Sequence, residues 1–260
     1  MEVEPNNTFD QTEPITMESW WCGTFLGDGA LGDPEFLNFT TAESGWLSVA
    51  VEASARGSEA DAQFIFYTDQ DSILVYDSVA STDPQIVIPT DTIGTFNVAV
   101  AETGYLTGDA YTWALMASLV KPPVTWTFDE TDGADGTLDN DDYTRANEFP
   151  LGGTVFGKIQ KTADKDWFHV SVPDGMQAVD FTVEAFGSGS PADIQLKIYD
   201  AASHTLKKSC YHGTVDYDLD PDCELKVSAA IDYDIQVSDE FDVGSTFSWY
   251  TLAIVGVPAD

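Results

Sequence analysis

Short runs of alternating apolar residues recur along the chain and constrain its fold more than any other feature. Successive side chains on a strand point to opposite faces, so such alternation predicts strands with one buried face. Clusters of Gly, Asp, Ser and Pro separate the runs, and no window shows an amphipathic helical period. In the first half the runs are residues 46–53, 62–68, 72–78, 85–89, 95–100 and 111–120. The sequence predicts an all-β fold of two tandem antiparallel β-sandwich domains.

Residues 164–170, DKDWFHV, form the most informative of these runs. Asp164 and Asp166 are two residues apart, so on a strand they project to the same side. There they could jointly hold a cation or a set of backbone donors. Trp167 and Phe168 fall on opposite faces, so at least one of the two rings must enter a core.

The two halves of the chain match in order, which indicates two copies of one domain. The prolines of Lys121-Pro122-Pro123 mark the boundary. We predict copy one over residues 1–121, a Pro-containing and then acidic linker over 122–142 that begins copy two, and copy two over 143–260. The matched positions are Asn6-Asn7 with Asn140-Asp141, Gly23 with Gly157, Asp33 and Glu35 with Asp164 and Asp166, Ala60-Asp61 with Ala192-Asp193, 96–100 with 233–237, and Tyr111-Thr112-Trp113 with Phe247-Ser248-Trp249.

The chain is strongly acidic, with 45 Asp and Glu against 10 Lys and Arg over 260 residues and a formal charge of −35. Such a surface repels nucleic acid and anionic lipid, so neither is a predicted partner. Apolar runs fall short of the roughly 18 residues that a membrane helix needs, so no membrane insertion is predicted. The charge favours divalent cations or cationic partners. Adaptation to a salty medium is an open alternative explanation.

The cysteines bear on the compartment. Cys210 and Cys223 bracket a short turn-rich segment and could close a local disulfide in an oxidising compartment, although two unpaired thiols on neighbouring strands are the alternative. Cys22 follows two tryptophans and is predicted to be a buried small apolar residue. No signal peptide is present, and Met1 is interpreted as a start added to a mature segment. These features predict a secreted, periplasmic or cell-surface protein.

Several motifs together resemble the bacterial pre-peptidase C-terminal domain, and they are similar to the collagen-binding domains of clostridial collagenases. These are the EVEPNNT of residues 2–8, a following glycine, the Asp-x-Asp-Trp-Phe-x-Val of residues 164–170 and the Tyr-x-Ile-x-Val of residues 233–237. The resemblance covers nearly the whole chain as two copies. It implies a jelly-roll-like sandwich on a secreted bacterial protein, accessory or adhesive work, and calcium where the N-terminal segment meets the Asp-x-Asp strand.

Calcium takes about six to eight oxygen ligands from carboxylates, amides and carbonyls. In copy one an extended segment supplies four side-chain donors, and two acidic residues could add more if the chain folds back. By resemblance this is the metal site of copy one. The alternative is that the asparagines are turn residues and the glutamates belong to a solvated terminus. The candidate ligands are Glu2, Glu4, Asn6 and Asn7, with Asp33 and Glu35.

Copy two keeps Asn140 and Asp141, but Gly136 and Leu138 stand where copy one has its two glutamates. This departure removes two anionic ligands, for which nearby acidic residues could compensate. The Asp-Gly-rich stretch 129–141 resembles calcium-dependent acidic loops, and an acidic linker is the alternative. The compensating candidates are Asp139, Asp142, Asp164 and Asp166.

Signals for catalysis are weak, since no His-Glu-x-x-His and no Gly-x-Ser-x-Gly motif is present. We therefore predict a non-catalytic, extracellular calcium-binding module for adhesion, targeting or stabilisation of a larger parent. Its partners would be extracellular polysaccharide or protein and other domains of that parent. The alternative is a carbohydrate- or fibrous-protein-binding module in which metal is incidental. Aromatic candidates for such contacts are Trp20, Trp21, Tyr105, Trp126, Tyr143, Tyr211 and Tyr217.

Overall fold

The structure is a computed structural model that describes residues 8–26, 34–67, 72–76, 83–90, 94–131, 140–211 and 220–259. The chain divides into two compact units, Met1–Pro123 and Val124–Asp260. Each unit contains two β-sheets, which are mainly antiparallel. The predicted all-β fold class with two β-sandwich domains is confirmed. The described residues include no helix with the length and hydropathy needed to cross a membrane.

In the first unit one sheet has the strand order β1-β3-β8-β5-β6 and the other β2-β9-β4-β7. β1 pairs parallel with β3, and the remaining pairs are antiparallel. Two 3-10 turns lie at Phe9–Gln11 and Ser54–Arg56. The strands are β1 (Glu13–Pro14), β2 (Trp21–Thr24), β3 (Glu35–Thr41), β4 (Gly45–Glu52), β5 (Ala62–Tyr67), β6 (Ser72–Tyr76), β7 (Gln85–Thr90), β8 (Gly94–Glu102) and β9 (Thr112–Val120).

The core of the first unit follows from the alternation in its strands. Phe39, Phe66 and Phe96 come from three adjacent strands of one sheet, and their ring centroids are 5.5–6.4 Å apart. Leu47 and Val49 from the other sheet are fully buried. Burying a side chain of this size stabilises the fold by about 1.5–3 kcal/mol. The predicted strands therefore bury the face that their pattern assigns to the core.

In the second unit the sheets have the orders β11-β13-β18-β15-β16 and β10-β12-β19-β14-β17. β11 pairs parallel with β13, and β10 pairs parallel with β12. Two 3-10 turns lie at Tyr143–Arg145 and Phe186–Ser188. The strands are β10 (Phe128–Asp129), β11 (Asn147–Glu148), β12 (Thr154–Lys158), β13 (Asp166–Val172), β14 (Met176–Glu184), β15 (Ile194–Asp200), β16 (Thr205–Cys210), β17 (Asp222–Lys226), β18 (Ile231–Asp239) and β19 (Trp249–Pro258).

The second core is filled from both sheets, with Phe168 and Ile235 on one side and Phe181 and Leu252 on the other. Trp167 points to the opposite face from Phe168 and is still 93% buried, because other rings cover it. The prediction that at least one of these two aromatic residues enters a core is confirmed, since Phe168 lies in it.

The two units share a strand order, with β2-β9-β4-β7 corresponding to β12-β19-β14-β17. The sequence match paired Trp113 with Trp249. In the sheets Gly23 lies opposite Trp113, whereas Gly157 lies opposite Tyr250. Trp113 therefore corresponds to Tyr250, and the match was wrong by one residue. Trp249 and Tyr250 are adjacent aromatic residues, so only cross-strand pairing shows which of them faces the glycine.

A disulfide joins Cys210 at the end of β16 to Cys223 in β17, with a Cα–Cα distance of 6.2 Å. β16 and β17 are the edge strands of the two sheets, so the bond links the sheets along one side of the sandwich. Cys22 is exposed, so the prediction that it is buried was wrong. It lies on β2, an edge strand that leaves part of its surface open to solvent.

We predict that a Cys210→Ser/Cys223→Ser variant loses about 3 kcal/mol of unfolding free energy. A disulfide that closes a loop of about 15 residues lowers the conformational entropy of the unfolded chain and so stabilises the fold by about 3 kcal/mol. The sequence separation of the two cysteines is 13 residues. Urea denaturation without reductant measures the loss. Cys22→Ser is the matched control and should keep the wild-type midpoint. A double variant as stable as the wild type would contradict the prediction.

Candidate metal centre

Two carboxylates of the second unit meet at one tyrosine hydroxyl. Asp166 is the first residue of β13, and Glu130 follows β10, which belongs to the other sheet. The hydroxyl oxygen of Tyr250 on β19 lies 2.7 Å from Asp166 Oδ2 and 3.1 Å from Glu130 Oε2. Glu130 Oε1 also accepts a hydrogen bond from the backbone N–H of Lys158, at 2.6 Å. Both sheets therefore contribute acidic groups to the same place.

Burial controls the protonation of these groups. Asp166 is fully buried, and its pKa is raised well above the usual value by burial and then by the Glu130 charge. Asp164 is 2% exposed, and burial, followed by the Asp141 carboxyl, raises its pKa to about 6. Burial also raises the pKa of Tyr250, so its hydroxyl keeps the proton that it donates. Uncompensated buried charge is costly, so the carboxylates need protons or another cation.

Asn140 is the most unusual residue of this region. It is fully buried, and neither atom of its side-chain amide has a hydrogen-bond partner among the described residues. Asp164 Oδ1 and Asp166 Oδ1 likewise accept no hydrogen bond from the described part of the chain. The backbone fixes Asn140 beside β13, because Trp167 N donates to its carbonyl oxygen at 3.0 Å. A buried amide without a partner costs about 1–3 kcal/mol, which indicates that another group belongs here.

Asp141 lies at the outer side of this group. Its Oδ2 accepts a hydrogen bond from Lys161 Nζ at 2.9 Å, and its Oδ1 accepts one from Lys165 N at 3.3 Å. Lys161 Nζ is also 3.7 Å from Asp164 Oδ1. The lysine is more than half exposed, so it offsets the buried charge only from the solvent side.

The turn between β12 and β13 positions Asp164. Gln160 N donates to Asp164 Oδ2 at 2.5 Å, and Ala163 takes a left-handed backbone conformation with φ 62°. The loop after β18 supports the turn, since Ala163 N donates to Asp242 O at 3.1 Å. Gly244 packs so closely on the Lys161 backbone that a Cβ there would overlap it.

The structure brings together four of the predicted ligands, Asn140, Asp141, Asp164 and Asp166. Asp142 caps the 3-10 turn, where its Oδ1 accepts from Thr144 N at 2.8 Å, and its part as a compensating ligand stays a prediction. The predicted ligands that lie outside the described residues are Glu2, Glu4, Asn6, Asn7, Asp33 and Asp139.

Sequence reasoning missed Glu130 and Tyr250. Glu130 lies inside the acidic stretch 129–141 and is not singled out from it by the sequence. Tyr250 is predicted only as a member of the last apolar strand. A signal was present for Tyr250, because a polar ring on an inward-facing strand position needs a hydrogen-bond partner.

In the first unit Glu35 occupies the position of Asp166, since it begins β3 opposite Val100 as Asp166 begins β13 opposite Val237. Glu35 is fully buried. At the position of Tyr250 stands Trp113, whose indole nitrogen is buried without a hydrogen-bond partner among the described residues. The first unit therefore also places an acidic group at the start of the equivalent strand.

The residues present fit a cation that takes oxygen ligands. The described residues contain no group of three or more His, Cys, Asp or Glu side chains that could hold a metal ion by themselves. Calcium also takes amide and backbone oxygens. The buried amide of Asn140 could be such a donor, and the backbone of this residue is bonded to Trp167, next to Asp166; Asp164 Oδ1 and Asp166 Oδ1 accept no hydrogen bond from a described residue.

Three of the seven candidate aromatic residues pack against other side chains, and two of these three, Trp20 and Tyr143, are also exposed. The Trp126 ring packs on Phe156 with centroids 4.8 Å apart, and the Arg56 guanidinium lies 4.2 Å from the Trp20 ring centre. Tyr105 and Tyr211 are exposed, while Tyr143 packs on Trp167 and Trp21 is half-buried. Tyr217 lies outside the described residues.

With the fold defined as a pair of antiparallel β-sandwiches, three solved structures are similar to it. A pre-peptidase C-terminal domain of collagenase from Bacillus anthracis matches with 12% identity and TM-score 0.33, over 45% of this chain and 99% of that chain. The CUB1-EGF-CUB2 domains of rat MASP-1 match with 10% identity and TM-score 0.23, over 93% of this chain and 100% of that chain. The ANXUR2 extracellular domain from Arabidopsis thaliana matches with 7% identity and TM-score 0.24, over 94% of this chain and 89% of that chain.

No protein-family model and no curated protein sequence matches the chain. The three TM-scores all lie below 0.5, so these likenesses say nothing about what the chain binds.

We predict that the metal-free protein becomes more stable as the pH falls from 7 towards 4. The folded-state pKa of Asp164 is about 6, above its ordinary value of 3.8. Its stabilising contribution is therefore fully present below pH 4 and is lost as the pH rises through 6. Thermal melts in EDTA at fixed ionic strength measure the trend. Because other acids also titrate, the melting temperature of Asp164→Asn is subtracted from that of the wild type at each pH. A difference in melting temperature that is constant with pH would contradict the prediction.

We predict that Gly157→Ala destabilises the second unit by about 1–3 kcal/mol, as overpacking of a core does. A Cβ at Gly157 would overlap the hydroxyl end of Tyr250 and lie 2.7 Å from Glu130 Oε2. Urea denaturation measures the loss. Gly94→Ala is the matched control, because no described atom lies within 4 Å of a Cβ built at that strand residue. Equal effects of the two substitutions would contradict the prediction.

Proposed function

We propose that the second unit is a non-catalytic calcium-binding β-sandwich module of a secreted or cell-surface protein. The observation that supports this most is the fully buried side-chain amide of Asn140, which lacks a hydrogen-bond partner among the described residues, while the backbone carbonyl of the same residue accepts from the N–H of Trp167, the residue after Asp166. Carboxylate oxygens of Asp164 and Asp166, together with that amide, suit a hard cation, and Glu130 adds negative charge next to Asp166. Asp141 adds negative charge at the solvent side.

Calcium, when bound, supplies two positive charges to these buried acidic groups. The protein's own part is to present the oxygens. β13 carries Asp166, the turn before it carries Asp164, and the segment before β11 carries Asn140. The hydroxyl of Tyr250 lies between Asp166 and Glu130 and can donate its single proton to one of the two carboxylates at a time. Binding would thereby fasten Asn140 and Asp141 to the first residues of β13.

The proposed role of the module is mechanical: to adhere, to target or to stabilise a larger parent protein. Calcium would fix the segment that leads into the second sandwich, and so the orientation of whatever precedes it. The disulfide between Cys210 and Cys223 supports a secreted, periplasmic or surface location, since such bonds persist in oxidising compartments. Other domains of a longer parent and extracellular polysaccharide or protein are the proposed partners.

We also propose that the two units are tandem copies of one domain. Their equivalent sheets have the same strand order, and both begin β3 or β13 with a buried acidic residue, Glu35 or Asp166. A calcium site in the first unit, with Glu2, Glu4, Asn6, Asn7 and Asp33 beside Glu35, remains a proposal from the sequence.

Thermal melts at fixed high ionic strength, with excess EDTA against millimolar calcium or magnesium, test the proposed function. We expect calcium to raise the melting temperature by several degrees, because binding to the folded state at a hundredfold excess over the Kd adds about 2.7 kcal/mol. Magnesium should give a smaller rise, because it demands a smaller and more regular oxygen shell.

Two variants assign the effect. Asp166→Asn should abolish the calcium response of the second unit and stabilise the metal-free protein, since it removes a buried charge. Glu35→Gln tests the first unit in the same way. Identical wild-type melts in all three conditions would overturn the calcium proposal and leave the acidity as adaptation to salt. Calcium titration by calorimetry gives the number of sites.

A further inference from the structure

Four aromatic side chains form a cluster on the outer face of one sheet in the second unit. The ring of His204 has its centroid 3.6 Å from that of Tyr143, 5.3 Å from that of Tyr199 and 5.7 Å from that of Trp167. Tyr143 also packs edge-on against Trp167 at 5.9 Å. Aromatic pairs at such distances contribute about 0.5–1.5 kcal/mol beyond the area that they bury. We call Tyr143, Trp167, Tyr199 and His204 the aromatic cluster.

The cluster is joined to the candidate metal centre through the chain itself. Trp167 directly follows Asp166, and its N–H donates to the carbonyl of Asn140 at 3.0 Å. Tyr143 lies two residues after Asp141, in the 3-10 turn Tyr143–Arg145. The loop from Asn140 to β11 is therefore tied to β13 by backbone bonds at its ends and by the Tyr143 ring between them.

His204 is placed in the cluster at a cost. Its backbone is left-handed, with φ 52°, which a residue with a Cβ adopts uncommonly. Its Nδ1 is buried and has no hydrogen-bond partner among the described residues. Asp200 holds this turn, since its Oδ1 accepts from Ser203 N and from Ser203 Oγ, both at 2.9 Å. His204 N donates to Asp200 O at 2.8 Å. The imidazole is therefore held for ring contacts rather than for a hydrogen bond.

We infer that the aromatic cluster positions the calcium ligands. His204 and Tyr143 hold against β13 the loop that follows Asn140 and Asp141. The side-chain oxygens of Asn140 and Asp141 are thereby kept facing Asp164 and Asp166. This inference rests on the proposed function of the same centre. His204 and Tyr143 act as positioning residues and touch no cation. Groups that orient metal ligands in this way typically change the metal affinity about 10- to 100-fold when they are removed.

Calcium titration by calorimetry of the full chain tests this. We expect His204→Ala and Tyr143→Ala each to weaken calcium binding at the second unit about tenfold. Tyr143→Phe keeps the ring contact and should restore the wild-type affinity. Asp166→Asn, which removes a proposed ligand, identifies the heat that belongs to this site.

Two controls separate positioning from general loss of stability. His169→Ala removes a histidine that lies next to the cluster, two residues after Trp167 on β13, and contacts Asp234 at 2.8 Å; it should lower the metal-free melting temperature without changing calcium affinity. Tyr211→Ala removes a tyrosine that is 48% exposed and should change neither quantity.

The outcomes are distinct for the two proposals. The inference is supported if His204→Ala and Tyr143→Ala each bind calcium about tenfold more weakly than the wild type. In that case Tyr143→Phe and His169→Ala must bind calcium with the wild-type affinity. Wild-type affinity in both alanine variants, or an equal loss of affinity in His169→Ala, overturns the inference and leaves the calcium proposal intact. If the wild type itself binds no calcium at this site, both proposals are overturned.

Discussion

The structure of the second unit is governed by the burial of the Asp166 carboxylate beneath the Tyr250 hydroxyl. Strand pairing leaves no freedom here, because Asp166 begins β13 opposite Val237 and Tyr250 lies opposite Gly157 on β12. One hydrogen bond offsets only part of the cost of removing a carboxylate from water. The neighbouring features follow from that deficit, since Gly157 gives the tyrosine room and Glu130 shares its hydroxyl. Glu130 is a second acid at this place, and without a cation its charge increases the cost of burying Asp166.

The first unit uses the same scaffold with different chemistry. Glu35 replaces Asp166 with one more methylene, and Trp113 replaces Tyr250 with an indole N–H in place of a hydroxyl. Both rings can donate a hydrogen bond here, because the buried tyrosine keeps its proton, but only the tyrosine oxygen can also accept one. A buried acid at the start of the equivalent strand and a buried ring at the equivalent position of the last strand are common to the two units, while the reach of each group differs. Two such sites would not be expected to select the same ion with the same affinity.

The sequence predicted the features that depend on local periodicity. Alternation predicted the strands and the fold class, and the spacing of Asp164 and Asp166 predicted both at the entry of one strand, where Asp166 begins β13 and Asp164 lies in the turn before it. Contacts across the sandwich were beyond it. The Tyr250 hydroxyl contacts Asp166 and Glu130, which precede it by 84 and 120 positions in the sequence. A single sequence does not mark which inward-facing position on the last strand will reach such distant residues. The one-residue error at Trp113 has the same origin, since register between distant strands is set by pairing and packing.

The chain's charge of −35 makes the difference between surface and buried carboxylates decisive. Exposed acids are screened by any salt over a Debye length of about 8 Å at physiological ionic strength, so they respond to ionic strength and not to the identity of the ion. Asp164 and Asp166 are beyond that screening because solvent does not reach them. Apart from a proton, only a cation that loses part of its own water shell and accepts oxygens in return can neutralise them. Selectivity between ions, if the protein has any, must therefore originate at these few buried residues, whatever the acidic surface contributes to solubility.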